Sequence, residues 1–158
     1  MADVTRWDHV ITPVLGRTAP TASRAEVIDH LRRASYELRR RDPIMIAHSG
    51  NGHIGGDFSI ADVLVTLVLH ELNLDPADPL NPERDRLILS KGHTAGALYI
   101  AMALAGYFGV DELMTFMDPH SRLSGHPNRA YIPGIETNTG ALGHGLPIGV
   151  GTALAAQL

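Results

Sequence analysis

The 158-residue chain contains no cysteine. Disulfides, thiolate-held metals and cysteine nucleophiles are therefore excluded. Aromatic residues are scarce, at 5% with a single tryptophan. No basic block interleaves with them, so the electrostatic footprint of a nucleic-acid binder is missing. The Arg39–Arg41 run is short and reads as a solvated helix end. No apolar run reaches membrane-spanning length; the longest, around Ile60–Leu69, is interrupted by Asp62 and Thr66. The N-terminus lacks the basic-then-apolar pattern of a signal peptide. With these exclusions, a cytoplasmic protein is expected. Apolar residues make up 44%, charged residues 19%, and the formal charge is −4. That composition suits one globular domain.

Punctuation along the chain divides it into an N-terminal arm, 1–22, and a folded portion, 23–158. Pro13, Gly16 and Pro20 break any periodicity in the arm. Ser23 with Glu26 forms a capping-box pattern, and Val27, Ile28, Leu31, Ala34 and Leu38 follow at helical spacing. Pro43 is expected to end or kink that helix. After a glycine-rich turn, Ser59 is placed to cap a second helix over Ile60–Leu72, apolar on nearly every face and hence buried. The proline-rich stretch Asn73–Arg86 reads as a loop. Leu87–Leu89 has the look of a short, buried parallel strand. Thr94–Ala105 reads as a helix closed by Gly106, and Asp111 caps a short helix through Phe116. Residues 118–138 form a long loop, of the kind that is usually functional or disordered. Gly140–Leu158 opens glycine-rich and becomes a helix with no stop signal. Helices alternating with a strand around glycine junctions indicate α/β organisation, with ligands at the carboxyl ends of strands.

Four of the nine histidines directly follow glycine: His53, His93, His126 and His144. Chance predicts about one such pair at this composition. Each pair falls at an expected junction. Glycine permits close approach of a ligand, and histidine offers two nitrogens that donate, accept or carry charge near neutral pH. The combination suits an oxygen-rich anion such as a phosphate ester or diphosphate. A junction histidine is ordinarily a cap or a solvent-facing group, and Gly149 and Gly151 could simply permit tight helix packing; four matched contexts weigh against the first of these. Lys91-Gly92-His93, before a helix, would add positive charge to that helix's N-terminal field. Helical His-Glu-x-x-His and any compact Asp/Glu/His cluster are absent, so no metal is expected to be held by this chain's residues alone. Nucleotide-binding G-x-x-x-x-G-K-[ST] and G-x-G-x-x-G signatures are also missing, as is G-x-S-x-G.

Several segments, in order, resemble transketolases. They are His53-Ile54-Gly55-Gly56, Arg84 through His93, Ser124-Gly125-His126-Pro127, and Thr137-Asn138-Thr139-Gly140-Ala141-Leu142-Gly143-His144-Gly145. Residues 23–158 share the likeness, which is nearest to the separate N-terminal subunits of split bacterial transketolases. The resemblance implies a partial thiamine-diphosphate-binding fold, a parallel sheet flanked by helices. It implies transfer of a two-carbon ketol unit between sugar phosphates or related ketoses and aldoses. It places His53 and His126 toward the substrate as catalytic residues, and His93, Gly140, Leu142 and His144 toward the cofactor. Two departures stand out: Asn51-Gly52 looks inserted into the first motif, and His144 stands where glutamine is common. The family's Gly-Asp-Gly metal motif is absent from the sequence, as is its catalytic glutamate in the pyrimidine-binding domain. The implied cofactors, thiamine diphosphate and Mg²⁺, would then need metal ligands from another chain. The expected partners are complementary subunits carrying the Gly-Asp-Gly/Asn motif and the pyrimidine-binding domain, and the isolated chain is expected to bind the cofactor weakly or not at all. The alternatives are a non-catalytic assembly protein, a truncated gene product and a deoxyxylulose-phosphate-synthase-like part.

Overall fold

The computed structural model describes residues 15–158; most of the expected arm lies outside them. Four helices organise the fold: α1 (Arg24–Ser49), α2 (Ile54–Thr66), α3 (Ala95–Ala105) and α4 (Gly145–Ala155). A π turn, Leu67–Glu71, extends α2, and 3-10 turns occupy Gly92–Thr94 and Val110–Thr115.

Helix α1 starts at the capping box expected from sequence. The Ser23 hydroxyl accepts from the Glu26 backbone N–H, and the Glu26 carboxylate accepts from the Ser23 backbone N–H. Pro43 does not end it. Losing one backbone hydrogen bond inside a helix costs about 3 kcal/mol. Here the second half of α1 packs on α2 and α3 and buries Leu38, Met45, Arg41 and Asp42, which offsets that cost. The helix terminates instead at Gly50, in a left-handed conformation, φ 70°.

The solvated reading of Arg39–Arg41 is overturned for the same reason. Arg41 is fully buried beside Glu37, its Nη2 3.4 Å from the Glu37 carboxylate. Arg39 reaches across to α2 and pairs with Asp62 at 2.6 Å. Hydrogen bonds from Arg39 and Ser35 hold the Asp62 carboxyl down, to about 2.

Helix α2 begins at Ile54, earlier than the Ser59 cap expected from sequence. Two glycines in its first turn masked that start. Ala61, Leu64, Val65, Val68 and Leu69 face the core, while Val63 stays exposed, so the segment is buried on one side only. Helix α3 is different: every residue from Ala95 to Ala105 is buried. Small side chains dominate it, so α1 and α2 approach closely on two sides. Gly106, φ 104°, closes it as expected.

Leu87–Leu89 makes no ladder, and no strand occurs among the described residues. A strand exists only when a neighbour takes up its backbone groups. Leu89 nevertheless packs into the core and Leu87 against it. The start of the chain is tied down from Leu15 on: Gly16 N–H donates to the Leu104 carbonyl and Arg17 to the carbonyls of Val68 and His70. Asp111 lies inside the Val110–Thr115 turn rather than capping it; Gly109 takes the cap position. Among the described residues no helix is long and apolar enough to cross a membrane.

Candidate functional site

The glycine-histidine pairs sit on turns that α2 and α3 hold together. His53 is the first residue before α2, and its carbonyl accepts from the Asp57 N–H at 2.9 Å. His93 lies in the 3-10 turn leading into α3. The two imidazoles meet edge to face, centroids 5.2 Å apart at 68°. A side chain at Gly56 would strike the His93 turn, since a Cβ there would lie 2.8 Å from Thr94 Cγ2 and 3.3 Å from His93 Nε2.

Gly92 joins this pair to the fourth motif. A Cβ on it would stand 2.6 Å from the carbonyl carbon and oxygen of Thr139 and 2.8 Å from the Gly140 nitrogen, all backbone. Gly140 in turn faces His126: a Cβ on Gly140 would lie 3.5 Å from His126 Cδ2. Consecutive contacts therefore run from His53 through His93, Gly92 and Gly140 to His126. His53 and His126 are exposed and His93 half-buried. This is a shallow wall open to solvent on one side.

The His126 loop is fixed from beneath by Tyr99. Its hydroxyl donates to the Ser124 carbonyl at 2.9 Å and faces the His126 carbonyl at 3.1 Å. Burial pushes the Tyr99 phenol up to about 12, so it stays a donor. The Ser124 hydroxyl adds a third tie, 2.8 Å to the His126 carbonyl. Further along, Arg84 grips Glu136 through two 3.0 Å hydrogen bonds, and the Asn138 side chain accepts from the Arg129 N–H. These ties fix the 118–138 loop ahead of Thr139.

Not every expected residue joins the wall. The Lys91 ammonium turns back to α2 and donates to Ser59 Oγ at 2.9 Å, so it does not add its charge at the head of α3. Leu142 is 69% exposed, and His144 stands exposed at the head of α4 without a side-chain capping bond. Their turn is anchored by Gly145, whose N–H donates to Ser90 Oγ at 3.1 Å.

Tyr99, Asp57 and Asp42 escaped the sequence reading, and Thr139 entered it only as part of the fourth motif. Asp57 Oδ1 accepts from the Ala97 N–H at 3.1 Å. Its carboxyl and that of Asp42 converge on Gly96 of α3 in the core, where a Cβ would lie 3.3 Å from Asp42 Oδ1 and 3.4 Å from Asp57 Oδ2. Burial raises both, and Asp42 reaches about 8. The Thr139 hydroxyl is buried with no partner. Among the described residues no group of three His, Cys, Asp or Glu side chains could hold a metal ion.

The family description "Transketolase, thiamine diphosphate binding domain" matches residues 35–158. The chain belongs to the transketolase family. It is 47% identical, over 82% of its length, to one of the subunits of an apulose-4-phosphate transketolase from Actinobacillus succinogenes, and covers 47% of that protein. It is 46% identical to a 6-deoxy-6-sulfo-D-fructose transketolase subunit of Clostridium, over 72% of this chain and 41% of that one. Its fold superposes on Pichia stipitis transketolase in complex with sedoheptulose-7-phosphate with a TM-score of 0.69 and 33% identity, covering 79% of this chain and 18% of that one. Leishmania mexicana transketolase gives 0.70 at 32%, over 79% of this chain and 19% of that one. The chain spans about half the length, or less, of the transketolase subunits it matches.

Proposed function

We propose that the wall from His53 to His126 is the cofactor- and substrate-facing part of a split transketolase, which transfers a two-carbon ketol unit between sugar phosphates or related ketoses and aldoses. One observation carries the reading: three of the four glycine-histidine motifs, far apart in sequence, fall into contact along one wall. The donor set fits thiamine diphosphate. His93 offers an imidazole for the diphosphate, the Gly140 backbone packs against the neighbouring Gly92, and Leu142 would approach the cofactor from the exposed turn beyond. The unpartnered Thr139 hydroxyl is a spare polar group in the same turn. His144, one residue from the Ser90 anchor, would border the cofactor from the head of α4.

When bound, thiamine diphosphate supplies the electron sink for breaking and remaking the carbon–carbon bond. The chain's own residues would orient and protonate. His53 and His126 stand exposed, where each could donate to or accept from a substrate oxygen as it gains or loses a proton. His93, braced by the His53 ring, would hold rather than react. The 158 residues contain no Gly-Asp-Gly. The relatives are named as subunits, so the pyrimidine-binding domain with its activating glutamate would come from a complementary chain, and the Mg²⁺ ligands from residues outside these 158. Leu87–Leu89 would then enter a parallel sheet flanked by the helices.

Calorimetry with thiamine diphosphate and Mg²⁺, with and without the complementary subunit, tests this. Tight binding is expected only in the assembly, and His93→Ala should weaken it about tenfold or more, the loss of one hydrogen bond to a charged group. Unchanged affinity in that variant would refute the diphosphate role.

A further inference from the structure

Behind the histidine wall, three helices converge on two carboxyl groups. Asp42 projects from α1 and Asp57 from the first turn of α2, and both are buried, at 0% and 1% exposure. Both point at Gly96 of α3, where a Cβ would lie 3.3 Å from Asp42 Oδ1 and 3.4 Å from Asp57 Oδ2. No N–H or hydroxyl of the described residues donates to either oxygen of Asp42. Asp57 is placed differently. Its carboxylate accepts the Ala97 N–H, and the His53 backbone N–H also favours its ionised form. Two ionised carboxylates converging on one small residue in a dry interior repel strongly, and the stable arrangement keeps one proton on the pair. The proton belongs on Asp42, which lacks donors, and the charge on Asp57, which has them.

Nearby charged groups are engaged elsewhere. Arg41 lies beside Glu37, Lys91 reaches Ser59 and Gly56, and Glu112 is hydrogen-bonded to Arg122. The Tyr99 hydroxyl faces Ser124 and His126, and the His93 ring rests on that of His53. His53 is the base whose charge acts on Asp57.

We propose that the Asp42–Asp57 pair, holding one proton, is the positioning device of His53. In that form it clamps the head of α2 to the backbone of α3 and thereby fixes the His53 ring against His93. Neither aspartate touches the wall itself; both act through the turn that carries His53. Removing the proton sets two charges against each other under that turn and loosens it. The geometry of His53 is thus tied to an acid group that faces no solvent.

The test reads no turnover and no cofactor binding, so its outcome is separable from that of the function proposed above. In the wild-type chain, the carbon-detected carboxyl resonances of the aspartates and the ring resonances of His53 are followed by NMR from about pH 6 to about pH 9.5, a window that brackets the raised carboxyl. Expected is one buried aspartate titrating near pH 8, where Asp42 is placed, with a second movement of the His53 ring signals at the same midpoint. Asp42→Asn keeps a donor facing Asp57 but cannot ionise, so the His53 movement at that midpoint should vanish while the fold persists. Two results overturn the proposal: every aspartate carboxyl fully ionised at the acid end of the titration, or His53 signals that do not follow the buried group. Should Asp42→Asn fail to fold, the wild-type titration alone decides.

Discussion

Tyr99→Phe removes one oxygen and tests how the site is held. The ring remains, with its edge contact to Phe116 at 6.1 Å, so no cavity of consequence forms. What disappears is a single O–H shared between the carbonyls of Ser124 and His126. A neutral hydrogen bond of this kind contributes about 0.5–1.5 kcal/mol, and leaving its acceptors short of a donor raises the cost toward about 2 kcal/mol. In a domain of this size each kcal/mol moves Tm by about 2–4 °C. The expected fall is therefore about 1–8 °C, read by calorimetry, with an unchanged far-ultraviolet spectrum. Local readout is sharper. Amide hydrogen exchange at residues 124–126 should speed up by about tenfold, the factor that corresponds to about 1.4 kcal/mol, while amides inside α1 change only with global stability. If exchange at 124–126 accelerates no more than in α1, the loop is not held by Tyr99 and the account of its placement fails.

Gly92→Ala and Gly55→Ala should diverge. The first pushes a methyl into the Thr139 backbone and should destabilise by about 1–3 kcal/mol; the second meets nothing within 4 Å in a helical turn and should stabilise by about 0.5–1 kcal/mol. Thermal denaturation of both, side by side, checks the pair. Glu136→Gln halves the charge assistance in the fork with Arg84, whose side chain is 13% exposed, and should lower stability by about 1–2 kcal/mol in urea titration. Stability should also depend on pH with a defined sign. The folded-state value of Asp42 is raised from 3.8 to about 8, so the folded state keeps a proton that the unfolded state releases. Stability therefore falls as pH climbs from about 4, by up to about 1.4 kcal/mol per unit for one proton, and levels off above about 8. Asp42→Asn should flatten that slope; urea unfolding at about pH 5, 6.5 and 8.5 measures it, and an upward slope would contradict the raised value.

Much of this arrangement was legible in the residues. The Ser23–Glu26 capping box, the closure of α3 at Gly106 and the glycine-histidine turns are local signals, and each appears where the spacing placed it. The family resemblance, carried by the motifs in order, is borne out by the match over residues 35–158. The misreadings share a cause, which is tertiary context. Pro43 and Arg41 obey local rules in isolation, yet packing on α2 and α3 draws both into the helix and Arg41 into the core. The start of α2 was hidden because glycines are poor helix formers, while here Gly56 and Gly92 are small because other atoms fill the space. Leu87–Leu89 has strand composition, but a strand also needs a neighbour, which a short apolar run cannot reveal. The aspartate pair was invisible for a similar reason: a stretch of helix and a turn separate two common acids, and only the fold makes them adjacent.

Helix α3 has no charged residue and one hydroxyl, yet it meets the site at each of its joints. The Gly92–Thr94 turn runs into it, its Ala97 amide binds Asp57, its Gly96 leaves room for both carboxyls, and its Tyr99 carries the His126 loop. A deep mutational scan would accordingly show a band of intolerance along Ala95–Ala105 as severe as that at the histidines themselves.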